Sequence, residues 1–149
     1  MPPRRSTEEL LAELARLAES GSDDELLSEL RRALAGTNNI VIAKAARIAG
    51  RRSLAALGEA MAKAFARLME DPAKKDKGCR ALTDIAEALD ALRSRDTSVF
   101  LQGIVHIQME PVYGGQIDTA AMLRAKCALG VARLYHPEAA LRLTHLLVD

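Results

Sequence analysis

Apolar residues recur every three to four positions through most of this chain. Leu10, Leu11, Leu14, Leu17 and Ala18 keep the 3.6-residue period of a helix with one buried face, and Leu26, Leu27, Leu30, Ala33 and Leu34 repeat it. Each run carries a start signal: Ser6 with Glu9, and Ser22 with Glu25, match the S-x-x-E capping box, in which the two side chains satisfy orphan amides at a helix start. Gly21 and Gly36 stand where a C-terminal cap favours a left-handed residue. The pattern predicts a short helical hairpin over 6–35. Beyond Gly36 it predicts helices over 39–50, 53–70, 77–93, 97–109, 117–134 and 137–148, with Pro72, Pro111 and Pro137 as punctuation. The expectation is eight helices and no strand. Val99-Phe100-Leu101 has strand propensity, but Gln102, His106 and Glu110 recur at i, i+4 and i+8, which predicts a largely buried helix with one polar strip.

The chain also resembles itself. Lys44-Ala45-Ala46-Arg47-Ile48-Ala49-Gly50 overlies Arg124-Ala125-Lys126-Cys127-Ala128-Leu129-Gly130, and Asp84-Ile85-Ala86-Glu87-Ala88-Leu89-Asp90 lies midway between them. The repeating unit is about 40 residues, the HEAT/armadillo period. The second helices agree, with Ala55-Ala56-Leu57 over Ala139-Ala140-Leu141 and Val99-Phe100-Leu101 between. Small Ala on first helices lets neighbouring units approach, while Leu, Ile and Phe on second helices fill the layer between. The sequence therefore resembles a HEAT-repeat protein over nearly its whole length. More narrowly, Gly78-Cys79-Arg80-Ala81 and Gln108-Met109-Glu110-Pro111-Val112-Tyr113-Gly114-Gly115, with Asp118-Thr119-Ala120, resemble a group of bacterial HEAT-like helical-repeat proteins. The resemblance implies an all-α fold, a right-handed α-solenoid of about four helix pairs used for binding macromolecules. On this reading one domain spans 1–149, with an N-terminal hairpin over 6–35 and repeats over 38–70, 76–109 and 117–148, either as a whole protein or as a fragment of a longer array.

Composition changes this picture little. Of 149 residues, 49% are hydrophobic and only 3% aromatic with no Trp, so Ala and Leu do the packing, as close helix contacts require. There are 21 basic and 20 acidic side chains, a net charge of +1, and no strong overall field on nucleic acid or membrane. The distribution is uneven: 3 basic against 8 acidic over residues 1–30, 12 against 4 over 31–80, and 6 against 8 over 81–149. Cys79 and Cys127 lack CxxC spacing and read as reduced thiols. No 18-residue apolar run exists and no signal-peptide core follows Met1, so a cytoplasmic protein without membrane contact is expected.

Candidate chemistry is sparse. His106 and Glu110 would sit one helical turn apart, but they have no third ligand for a metal and no partner for acid–base work. Cys79 beside Arg80 could have a lowered pKa, yet no His or carboxylate partner is evident. The glycines of 110–118 lack the Gly-Lys-Ser/Thr ending of a phosphate loop. No catalytic residue, metal or cofactor is expected. Lys44, Arg47, Arg51 and Arg52 form a possible anion or nucleic-acid patch on one helix, with Lys74, Lys75, Lys77 and Arg80 around the next turn. Second helices usually line the concave face of such an array. There Lys63, Arg67, Gln102, His106, Glu110 and Arg142 would form polar rows of mixed sign, suited to a protein or peptide partner, with Tyr113 as an amphipathic anchor in the adjoining loop. The expected function is a non-catalytic scaffold for protein–protein interaction. A nucleic-acid-binding solenoid over 44–80 is the alternative, and a bilin-lyase-like role ranks below it.

Overall fold

Serine caps open the first two helices as their spacing requires. In the computed structural model, which describes residues 3–134 together with 145, 147 and 148, Ser6 and Glu9 exchange both bonds of a capping box ahead of α1 (Thr7–Ser20). The Ser22 hydroxyl accepts from the Glu25 amide ahead of α2 (Asp23–Ala35). Both helices bury the leucine face that the period marks, including Leu14, Leu17, Leu26, Leu30 and Leu34. Gly21 and Gly36 are not left-handed; both are extended, with φ of −79°. Space explains Gly21, because a Cβ there would lie 2.7 Å from the Leu17 side chain and 2.9 Å from its carbonyl.

α3 (Asn39–Arg51) is capped by Asn38, and a single 3-10 turn (Ala55–Leu57) leads into α4 (Gly58–Met69). The short α5 (Pro72–Lys75) and a second 3-10 turn (Lys77–Cys79) precede α6 (Arg80–Ala91). α7 (Thr97–Gly103) follows, then two strands, β1 (Met109–Val112) and β2 (Gly115–Asp118), then α8 (Ala121–Leu134). The molecule is mostly helical with one small two-stranded sheet. Eight α-helices lie among the described residues, although α5 was not expected and the predicted 137–148 helix lies outside them, apart from 145, 147 and 148.

The helices pack in two groups. α1 lies against α3, α3 against α6, and α6 against α8, while α2 contacts α4, and α4 contacts α7. Ala45, Ala46, Ala49, Ala81 and Ala86 are fully buried, and Phe65 and Phe100 fill the space beneath them. The period shows in the backbone. α3 and α6 end in the same turn, with left-handed Ser53 (φ 53°) and Arg93 (φ 54°), and 6→1 bonds from Leu54 to Ala49 and from Ser94 to Leu89. Close approach is enforced between α7 and α8. A Cβ on Gly130 would sit 2.3 Å from the Phe100 ring, and one on Gly103 would sit 2.3 Å from Cys127 Sγ.

The helix expected over 97–109 stops at Gly103, so Gln102, His106 and Glu110 do not share a strip. Gln102 lies on α7, His106 in the connection, and Glu110 on β1. Pro111 cannot continue a helix, and Val112 pairs with Gly115 across a two-residue turn in which Gly114 takes φ +88°. That turn needs a residue without Cβ, and the pairing Glu110 to Ile117 follows from it.

Candidate functional site

The β1–β2 hairpin is held to the helices by a polar network around one buried carboxylate. Asp76 has no exposed surface. Its Oδ1 accepts from the Ala81 amide at 3.0 Å and its Oδ2 from the Leu82 amide at 2.8 Å, so it caps α6 from outside the helix. Asn39 Nδ2 at the start of α3 donates to the same carboxylate at 2.9 Å. The Asp76 carbonyl in turn accepts from Gln108 Nε2 at 2.8 Å, and Gln108 is itself 2% exposed.

From Gln108 the network enters the hairpin. Gln108 Oε1 lies 2.9 Å from His106 Nε2, and Gln108 Nε2 donates to Glu110 Oε2 at 3.1 Å. Glu110 accepts the Gly78 amide on both oxygens, at 3.1 and 2.9 Å, and the Thr119 hydroxyl. Gly78 can present that amide because its φ of +76° is open to glycine. Asp118 accepts from the amides of Gln108 at 3.0 Å and Ala120 at 2.9 Å, and forms a 2.7 Å ion pair with Arg124 of α8. Arg124 also donates to the His106 carbonyl at 2.9 Å. Burial would raise the Glu110 carboxyl, but bonds from Thr119, Gly78 and Gln108 outweigh it and hold its pKa below the usual carboxylate range. Asp118 is lowered in the same way, with burial opposed by the Gln108 and Ala120 amides and Arg124.

Beside Gln116, the hairpin turns mostly apolar side chains to solvent. Tyr113 at the turn is wholly exposed (107%), and Met109, Val112 and Ile117 are each about half exposed at 48%, 44% and 50%. Pro111 has no N–H, so the edge of β1 lacks a donor at that position. Exposed Lys74, Lys77 and Arg80 surround the turn that Glu110 grips.

Tyr113 and Glu110 thus belong to one hairpin, with His106 at its base. The other expected partner residues are elsewhere. Lys63 is exposed on α4, paired with Glu59 at 3.1 Å. Arg67 is engaged structurally, donating to the Leu34 and Gly36 carbonyls where α2 ends. Arg142 lies outside the described residues. In the basic patch, Arg47 pairs with Asp84 at 3.5 Å, and Arg52 with Asp23 at 3.3 Å and the Ala18 carbonyl. Arg51 shares a shallow groove with Asp84 and Glu87, and Lys44 is half-buried. The patch is therefore a face of mixed charge.

Cys79 is buried, and burial with the neighbouring Asp76 charge pushes its thiol up to about 12, against the lowering its basic neighbours suggested. Burial does the same to Cys127, also to about 12. No group of three His, Cys, Asp or Glu able to hold a metal occurs among the described residues. Nor is any helix among them long and apolar enough to cross a membrane. In comparisons with known proteins, no family model, curated protein or solved structure matches the chain.

Residue typing missed Asp76, Asn39 and Asp118 as organisers. A signal for the hairpin was present: Val-Tyr-Gly-Gly-Gln-Ile has strand formers on both sides of a glycine-bearing two-residue turn. None marked Asp76, because a carboxylate that caps a helix five residues away has no fixed spacing.

Proposed function

We propose that this protein is a non-catalytic scaffold, a right-handed HEAT-like α-solenoid that binds a partner protein chiefly through the 109–118 hairpin. The observation that carries the reading is a wholly exposed Tyr113, next to Val112, on a hairpin tied to the helices by hydrogen bonds from Gly78 to Glu110 and from Gln108 to the Asp76 carbonyl. An exposed aromatic on a fixed support loses little entropy on binding, which is the character of an interface anchor. The exposed cations Lys77 and Arg80, which flank the Gly78 turn that Glu110 binds, favour a segment carrying apolar and acidic side chains. Support for the solenoid comes from the succession of α3, α6 and α8 and from the repeated end turns of α3 and α6.

A displayed library of random peptides, selected on the parent and counter-screened on Tyr113→Ala, tests this reading. Selected sequences should be rich in apolar and acidic residues and should lose binding to Tyr113→Ala. Peptides that bind both equally would place the surface elsewhere.

A further inference from the structure

The tip of the hairpin has no support of its own. Every residue from 111 to 117 is exposed, and a Cβ on Gly114 or Gly115 would meet nothing within 4 Å. A hairpin of two four-residue strands is marginal in water without further packing. Its order therefore depends on the residues that flank the exposed stretch. Gln108 holds the chain just ahead of β1, while Glu110 and Asp118 are the half-buried residues nearest the turn on either strand. Asp118 is tied to the Gln108 and Ala120 amides and to Arg124, all close to it in sequence. Glu110 reaches further, to the Gly78 amide 32 positions away.

The turn that receives Glu110 is itself fixed. Gly78 and Cys79 are both left-handed, with φ of +76° and +54°, and Cys79 is buried; a residue with a Cβ takes that backbone only where its surroundings impose it. Asp76 imposes it here, since its carbonyl accepts the Cys79 amide at 3.0 Å while its carboxylate caps α6. The groups that meet the Glu110 oxygens are all donors: the Gly78 amide, Gln108 Nε2 and the Thr119 hydroxyl. The sequence suggests Glu110 as a contact for a partner, but these bonds turn its oxygens toward the protein itself.

We infer, on the reading that the hairpin is the binding surface, that Glu110 gates that surface as a positioning residue: it holds Tyr113 in place and makes no contact with the partner. Without its bonds the hairpin leaves the Gly78 turn for part of the time, and the apparent Kd rises by the inverse of the docked fraction. That loss falls on association, because only a docked hairpin can be met and a bound one stays docked. Loss of a direct contact falls on dissociation.

Two measurements on the whole chain test this. Without any partner, amide hydrogen exchange in the 109–118 ladder should be faster by about tenfold or more in Glu110→Ala than in the parent, with α1 to α4 unchanged. With a peptide selected on the parent, Glu110→Ala should lower the association rate about tenfold and leave the dissociation rate within about twofold, whereas Tyr113→Ala should raise the dissociation rate. Glu110→Gln keeps an acceptor for Gly78 and should lose less, about threefold in association, and it carries both measurements if Glu110→Ala lowers helix content. Parent-like exchange in the variants would overturn the inference, as would faster dissociation at an unchanged association rate. Equal losses for Glu110→Gln and Glu110→Ala would overturn it too, by making the charge itself the contact. A peptide that binds Tyr113→Ala like the parent would overturn the hairpin reading and the inference with it. Weaker binding to Tyr113→Ala beside parent-like association with Glu110→Ala would overturn the inference alone.

Discussion

Replacing Asp76 by Ala should destabilise the fold more than any other single loss of charge. The carboxylate satisfies three donors: the Ala81 and Leu82 amides at 3.0 and 2.8 Å and Asn39 Nδ2 at 2.9 Å. Loss of an ordinary helix cap costs about 1 kcal/mol. Here the two amides are buried, and leaving them unpaired costs about 1–3 kcal/mol each. Some of that is recovered by relaxation of the α6 start, so the expected loss is about 3–5 kcal/mol, the range for breaking a buried charged contact. For a chain of this size that corresponds to a melting temperature lower by about 10–15 °C. Asp76→Asn keeps one acceptor but turns an NH2 toward a donor, and should fall between Ala and the parent. Urea denaturation followed by circular dichroism measures both, with the slope checking that unfolding remains two-state. A loss below about 1 kcal/mol for Asp76→Ala would show that these bonds do not hold the 76–80 turn, and with it the support of the hairpin.

Three further outcomes follow from the same contacts. Gly130→Ala and Gly103→Ala should each lower stability by about 1–3 kcal/mol in thermal melts, since the added Cβ would overlap the Phe100 ring or the Cys127 sulfur. The folded pKa values of Glu110 and Asp118 are depressed, so their stabilisation is fully present above the ordinary values of 4.5 and 3.8 and is lost as pH falls through the lower folded values. Melting temperatures should therefore fall on acidification below about pH 4.5, and the gap between parent and Glu110→Gln should close as they do. Cys79 and Cys127, with thiols near 12, should resist a thiol reagent at pH 8 in the folded protein and react freely in urea.

Helices with a clean apolar period and a local cap are legible in the sequence: α1 and α2 begin where Ser6 and Ser22 suggest, and α3 begins at Asn39, where the apolar period places it. Periodicity fails where apolar residues are needed for another purpose. Gln102, His106 and Glu110 mimic one helical strip, but Gln108 is required by the Asp76 carbonyl, and that distant bond takes the chain off the helix axis before Pro111. Tyr113 stands beside the paired glycines that mark a turn in the sequence, and in the fold it lies in that turn and is wholly exposed. Lys63 and Arg67 look alike in sequence and differ in the fold, because only Arg67 reaches the unpaired carbonyls at the end of α2. The basic patch is legible as a cluster of like charge and not as a set of ion pairs, because Asp23 and Asp84 approach it from other helices.

The scaffold reading is tested most directly by titrating a peptide selected on the parent protein alone, without the counter-screen, against Tyr113→Ala and Lys63→Ala, with helix content checked for both. A buried tyrosine anchor is worth about 2 kcal/mol or more, and an exposed charge such as Lys63 about 0.2–1 kcal/mol. Tyr113→Ala should therefore weaken binding about 30-fold or more, and Lys63→Ala by no more than about fivefold. Unchanged affinity for Tyr113→Ala, with loss on altering Lys44 and Arg47, would move the site to the α3 face and contradict the scaffold reading.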